Sequence, residues 1–380
     1  MYFDHAATSF PKPDLFWEEL LAYQNEIGGS PGRGAHGAAE RAAEMVYETR
    51  RALARLFSVA DPSRIVFTSN ATEALNLALL GLLEEGDHVV TTSLEHNSVV
   101  RPLKHLVDTR NVLVSYVPLG PRGELDPSDV QRAIRHNTRL VVVNHASNVT
   151  GWIVPLEEIG FRVTPIPLLV DATQTAGLVP VDVQKFNIAL LAFTGHKALY
   201  GPTGIGGLFI REDLKLSPLK RGGTGSLSES PDQPEFLPDR FESGTLNVLG
   251  IAGLKGGLRF ILETGMASIR NHEQRLMQRI LDGLSRQDRI QMYGPPDVAA
   301  RTGTVSLNLQ GWEPSEVSYL LDAFYGAQTR SGLHCSPLTH RSIGTFPQGT
   351  VRISVGYFNS LEEVDSLLGA LEEILRQKEM

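Results

Sequence analysis

Cysteine is nearly absent from this chain: Cys335 is the only one in 380 residues. That scarcity excludes an intramolecular disulfide framework and any four-cysteine zinc or iron–sulfur centre. It leaves two readings of the thiol, an inert buried side chain or a lone nucleophile. Long apolar runs are missing as well. The longest, such as Ile188–Phe193 and Leu140–Val143, fall far short of the roughly 18 residues that span a bilayer. The opening MYFDHAATSF has neither the basic nor the apolar region of a secretory signal, so a soluble, cytoplasmic protein is expected. Positive charge is in the minority, 35 Lys and Arg against 43 Asp and Glu, for a net charge of −8. Such a balance disfavours a nucleic-acid backbone as partner. One common motif, G-x-x-x-x-G-K-[ST], does not occur. The glycine-rich Gly201–Gly207 (GPTGIGG) lacks the spacing and the first-strand context of a dinucleotide site.

What is present reads as an α/β protein of two domains. Arg64–Thr68, His88–Thr92, Asn111–Val117, Arg139–His145 and Pro167–Asp171 are short β-rich runs between helical patterns at Gly37–Phe57 and Thr72–Leu83. Several of these runs are continuously apolar, which implies burial on both faces and a mostly parallel sheet covered by helices. Asp126-Pro127 reads as an N-cap followed by proline at the first helical position. Past residue 250 the character changes. A long helix from Gly253 to Leu284, broken near Gly265, precedes strand, helix and strand at Thr304–Leu309, Val317–Tyr325 and Val351–Val355. Ser360 and Glu363 form a capping box ahead of a closing amphipathic helix. Residues 15–250 therefore read as the large domain, and residues 1–14 with 251–380 as a smaller α+β domain. The Gly-, Ser- and Pro-rich Lys220–Phe241 reads as a long ordered loop, a type often used for function.

Three features suggest chemistry. The turn Thr68–Thr72 leads directly into a helix start, which is either an anion site built from free amides or an ordinary Asn or Thr cap. Asp171 ends a buried strand, where ligands of open α/β sheets bind, and an acid there is costly without a positive partner. Lys197, in FTGHKALYGPTG, follows apolar sequence. A desolvated lysine has a lowered pKa and can form a Schiff base, although a single lysine is ordinarily a surface residue. A phosphate cup, an acid for a pyridine nitrogen and a lysine for an aldehyde are together what pyridoxal phosphate requires.

With YFDHAAT, GGTGSLSES, FESGTLN, RSGLHCSPL and VRISVGYFN added, the chain resembles, almost end to end, the class V aminotransferase group of fold-type I pyridoxal-phosphate enzymes. Within that group it is most similar to the cysteine desulfurase/selenocysteine lyase branch. The resemblance implies a large domain with a mostly parallel seven-stranded sheet and a smaller α+β C-terminal domain. It also implies that Lys197 holds the cofactor aldehyde, Asp171 pairs with the ring nitrogen, Gln174 bonds the phenolic oxygen, and His96 stacks on the ring and shuttles protons. Ala71, Thr72, Thr194 and His196 would take the phosphate. Gly244 and Thr245 would reach the phosphate of a neighbouring subunit, making a homodimer. Asn148 and Arg352 would bind the amino-acid substrate, with Arg330, Arg33 and His36 lining the pocket. Cys335 stands where such desulfurases keep their nucleophile, and His334 and Arg330 would favour its thiolate.

The implied activity is conversion of L-cysteine to L-alanine with sulfur passed to Cys335 as a persulfide, and from there to a small thiol or an acceptor protein. Selenocysteine lysis, β-elimination, epimerisation and transamination are the alternatives on the same cofactor, and a non-enzymatic role on this fold is a third. The thiol discriminates, because a transaminase has no use for it. A metal reading of His334, Cys335 and His340 lacks enough ligands. Two departures from the family stand out: Thr194 replaces the usual serine but keeps a hydroxyl, and Gly160–Pro167 is short, so its helix should be truncated or replaced by a loop.

Overall fold

The computed structural model describes every residue except Arg33, Pro121, Arg122 and 378–380. Seven strands form the larger sheet: β1 (Ile65–Thr68), β2 (His88–Thr92), β3 (Leu113–Val117), β4 (Thr138–Asn144), β5 (Leu168–Asp171), β6 (Leu190–Thr194) and β7 (Gly206–Ile210). Their order is β1-β7-β6-β5-β4-β2-β3. Only β7 runs against its neighbours, so the sheet is mixed but mostly parallel, as the apolar runs require.

The continuous apolar strands divide their side chains between two layers. Val141, Val143 and Val170 enter one core, and Leu140, Val142 and Leu169 enter the other. Helices on both faces cover these layers, so the alternation along each strand is between two interiors rather than between core and water. The β7 strand escapes a sequence reading because it begins with two glycines. Both are needed: a Cβ on Gly207 would lie 2.4 Å from the Phe193 ring, and one on Gly206 would lie 2.8 Å from the Asn70 backbone.

The second sheet is antiparallel, in the order β10-β11-β9-β8, with β8 (Ile290–Tyr293), β9 (Thr304–Leu309), β10 (Arg330–Gly332) and β11 (Thr350–Ser354). The first residues of the chain join it: Tyr2 bridges to Gln328 and Asp4 to Ser354, and Phe3 enters its core beside Val305, Leu307 and Ile353. The closing helix Leu361–Gln377 covers it and begins with the reciprocal Ser360–Glu363 box, each backbone N–H donating to the other's side chain at 3.2 Å.

The long helical stretch is two helices, Val248–Thr264 and Met266–Leu284, separated at Gly265, whose φ of 85° suits glycine. Ile251, Leu254 and Leu258 of the first pack into the large-sheet core. Ile269 of the second still packs into that core, and Leu276 and Ile280 pack under the small sheet. The shortened segment before β5 is an eight-residue helix, Leu156–Val163, that stops ahead of Pro165. Residues 211–247 carry no helix or strand and are held by side chains instead. Gln233 Nε2 donates to the Arg240 carbonyl at 3.1 Å, and the buried Arg50 grips Glu242 with two nitrogens, at 2.8 and 3.0 Å. Among the described residues no helix is long and apolar enough to cross a membrane.

Parallel strands place their C-terminal ends along one edge. Asn144 of β4 stands opposite Asp171 of β5, and Asp171 opposite Ala192 of β6. The ligand-binding edge of such a sheet therefore faces the β10–β11 side of the smaller sheet.

Candidate active site

A cavity of about 340 Å³ lies at that junction, within the roughly 300–1,000 Å³ range of small-molecule sites. One end is built for an anion. The helix Ala71–Leu82 points its N-terminus at it, and Asn70 caps that helix by accepting the Glu73 N–H at 2.9 Å. The cap serves one orphan donor and leaves the Ala71 and Thr72 N–H groups without an intrahelical acceptor. The cap reading therefore holds at this turn, and it leaves those two amides available to an anion. Thr194 Oγ1 and His196 Nδ1 belong to residues lining the same cavity and are buried without a hydrogen-bond partner among the described residues. Burial, and then the nearby Lys197, push His196 down to about 4, so its ring is neutral.

Asp171 and Lys197 occupy the middle. Asp171 is buried, and its Oδ1 accepts the Thr173 N–H at 2.9 Å. Lys197 follows β6 on the turn Gly195–His196. Desolvation pushes its amine down to about 8; Arg352 acts in the same direction, and Asp171 and Asp4 oppose it. Gln174 also lines the cavity, with its Nε2 tied to the Ala6 carbonyl at 3.1 Å.

His96 caps the helix Asn97–Arg110. Its Nδ1 accepts the Ser98 N–H at 3.1 Å and lies 2.8 Å from Ser98 Oγ, which in turn lies 2.8 Å from Thr72 Oγ1. With Nδ1 accepting, the hydrogen-bond network assigns the ring proton to Nε2. Burial lowers the His96 pKa, and Lys197, Arg101 and Arg352 add to that against Asp171, so the ring is neutral.

Positive charge gathers at the other end. Arg352 on β11 is buried. Its Nη2 meets Asp4 Oδ1 at 2.8 Å, its Nη1 donates to the Asn148 carbonyl at 3.1 Å, and its Nε has no partner among the described residues. Arg330 Nε donates to the other Asp4 oxygen at 2.9 Å. One carboxylate thus spaces two guanidiniums, and the pair keeps a net positive charge for a ligand carboxylate.

Cys335 is exposed and lines this end of the cavity. His334 does not supply the positive charge expected of it. Its ring packs against His340, and burial, then Arg352, hold its pKa far below the ordinary value. Arg330 is the guanidinium whose charge interacts with the thiol.

Three sequence candidates lie elsewhere. Gly244 and Thr245 border a separate hollow beside Ser69, Glu73 and Lys220. His36 is exposed and caps the helix Gly37–Leu56. Arg33 lies outside the described residues. Sequence reasoning missed Asp4, which stands in YFDHAAT but needs β11 and Arg330 to explain it. It also missed Glu95, whose buried Oε1 accepts Thr92 Oγ1 at 2.7 Å and the Asn144 N–H at 3.0 Å. Burial raises Glu95 to about 8, so it sits protonated beside His96.

Comparison with known proteins places this geometry. The family profile described as Aminotransferase class-V matches residues 1–367. A probable cysteine desulfurase of Pyrococcus abyssi is 36% identical, over 99% of this chain and 94% of the relative. The apo structure of a cysteine desulfurase from Thermococcus onnurineus NA1 superposes with a TM-score of 0.93 at 36% identity, covering 99% of this chain and 95% of the other. A cysteine desulfurase from Escherichia coli, solved as an S-sulfonic acid form, gives 0.89 at 27% identity, covering 99% and 94%.

Proposed function

The chain belongs to the class V aminotransferase family, and from that premise we propose that it is a cysteine desulfurase, which takes the sulfur of L-cysteine onto Cys335 and releases L-alanine. One observation carries the reading: the chain's single thiol opens into the same cavity as a half-buried lysine of depressed pKa and a buried aspartate.

The donor set fits pyridoxal phosphate. The orphaned Thr194 hydroxyl and His196 nitrogen, with the free Ala71 and Thr72 amides, suit a phosphate. Asp171 suits a protonated ring nitrogen, and Lys197 suits an aldehyde. Bound there, pyridoxal phosphate supplies an electron sink that stabilises negative charge at the substrate Cα.

The residues do the rest. Arg352 and the Asn148 amide bind the substrate carboxylate and fix which bond at Cα faces Lys197. Lys197, once its amine is free, is poised near neutral pH to take the Cα proton. Asp171 would hold the ring nitrogen of the bound group protonated, and Gln174 would hydrogen-bond its phenolic oxygen. His96, neutral with its proton on Nε2, can donate across the ring face. The Cys335 thiolate attacks the substrate sulfur. A bond from Sγ to sulfur forms as the Cβ–sulfur bond breaks, the electron pair left at Cβ takes up a proton, and Lys197 returns its proton to Cα to complete alanine.

With no second cysteine in the chain, the sulfur must pass to a small thiol or to another protein. Gly244 and Thr245, outside their own cavity, are free to meet a partner's phosphate, which supports a homodimer.

The assay is direct. Cofactor-loaded protein given L-cysteine should form alanine in step with sulfide or thiol-bound sulfur, and no alanine overturns the reading. A second expectation concerns pH. Only the uncharged Lys197 amine attacks an aldehyde, and its pKa is lowered to about 8. Loading of the cofactor-free protein, followed by its visible band, should quicken as pH rises through about 8 and level off above it. An ordinary lysine, at about 10.4, would keep gaining well past that point, and such a profile would contradict the buried amine.

A further inference from the structure

The residue after the exposed thiol is fully buried. Ser336 donates its hydroxyl to Asn148 Oδ1 at 2.7 Å. The other end of the same amide donates from Nδ2 to the His334 carbonyl, also at 2.7 Å. One amide therefore grips both neighbours of Cys335. Two backbone contacts complete the hold: the Asn97 N–H donates to the Cys335 carbonyl and the Ser336 N–H to the Leu333 carbonyl, both at 2.8 Å. His334 and Cys335 sit at φ 49° and 58°. Consecutive non-glycine residues keep left-handed backbone only where their surroundings impose it.

These contacts fix which way the amide points. The His334 carbonyl can only accept, so it must face Nδ2, and the Ser336 hydroxyl satisfies Oδ1. The flipped amide would set two oxygens against each other. Nδ2 carries two hydrogens. One is spent on His334, and the other belongs to the cavity wall, where Asn148 lies beside Arg352. Ser336 itself does not line the cavity.

We propose that Ser336 is a positioning residue: its hydroxyl orients the Asn148 amide toward the substrate carboxylate and, through that amide, ties carboxylate binding to the placement of the Cys335 loop. The proposal rests on Asn148 and Arg352 as the carboxylate site. Removing the hydroxyl leaves Oδ1 buried without a donor, which frees the amide to turn and the loop to open.

The test compares Ser336→Ala, Asn148→Ala and the double variant, all loaded with pyridoxal phosphate. Amide hydrogen exchange of residues 330–343, read by mass spectrometry without substrate, should be about tenfold faster in Ser336→Ala. It should be similarly faster in Asn148→Ala, and no faster again in the double variant, because the two side chains act as one unit. The Kd of L-alanine, titrated on the visible band, should rise about tenfold in Ser336→Ala although that side chain touches no ligand. Exchange within about twofold of wild type, or a Ser336→Ala effect undiminished in the Asn148→Ala background, overturns the proposal. Should Ser336→Ala not fold, Asn148→Ala decides alone: it retains the serine and must still speed exchange of the same segment. If wild type binds no L-alanine, the carboxylate reading falls, while the exchange measurement still decides the latch.

Discussion

Lys197→Ala is expected to leave a folded, colourless protein with desulfurase turnover lower by at least about 10⁴-fold. The side chain does two things that nothing nearby can replace. Among the described residues it is the one amine that lines the cavity, and desolvation keeps it near pKa 8, so that a useful fraction is uncharged at neutral pH. Its loss removes both covalent capture of an aldehyde and the base that takes the Cα proton. The phosphate end does not depend on it: the Ala71–Leu82 helix, Thr194 and His196 remain. The variant should accordingly still bind pyridoxal phosphate reversibly, with the spectrum of the free aldehyde. Truncating a half-buried lysine also removes a charge that is costly to desolvate, so thermal stability should not fall. A variant that keeps the wild-type visible band would refute the role of Lys197.

Cys335→Ser should behave differently, and the difference separates cofactor chemistry from sulfur transfer. The cofactor end is untouched, so the visible band and its response to L-cysteine should persist. Turnover to alanine should fall on the order of 10³-fold, because a serine hydroxyl is not ionised under conditions where a thiol partly is. Neither neighbour rescues it. His334 is held neutral by burial and does not approach as a base, since its ring nitrogens face His340 and the Arg330 carbonyl. Retention of full turnover by Cys335→Ser would mean that sulfur leaves without passing through the protein.

The parts of this site that were legible in the sequence are those set by local chain direction. Asp171 ends an apolar run, Lys197 follows one and Thr72 opens a helix; each is placed by the end of its own element, and parallel strands bring those ends to one edge. The capping box at Ser360 and the break at Gly265 were legible for the same reason. What escaped depends on segments far apart in the chain. Asp4 gains its role only when the first residues join β11 and meet Arg330 and Arg352. The β7 strand is disguised by glycines that its neighbours require for space. The charge of His334 was misread because a histidine beside a cysteine suggests an imidazolium, whereas enclosure by the loop decides otherwise. The grip of Asn148 on the Cys335 loop joins residues nearly two hundred positions apart, and no spacing announces it.

The central claim is that the one thiol of this chain receives the substrate's sulfur. The most direct test is the mass of the Cys335 peptide after cofactor-loaded enzyme has met L-cysteine briefly, without added reductant, and has been alkylated. A gain of one sulfur atom on Cys335, matched by alanine formed in the first turnover and reversed by dithiothreitol, is the predicted result. Alanine formed at full yield over an unmodified Cys335 would contradict it.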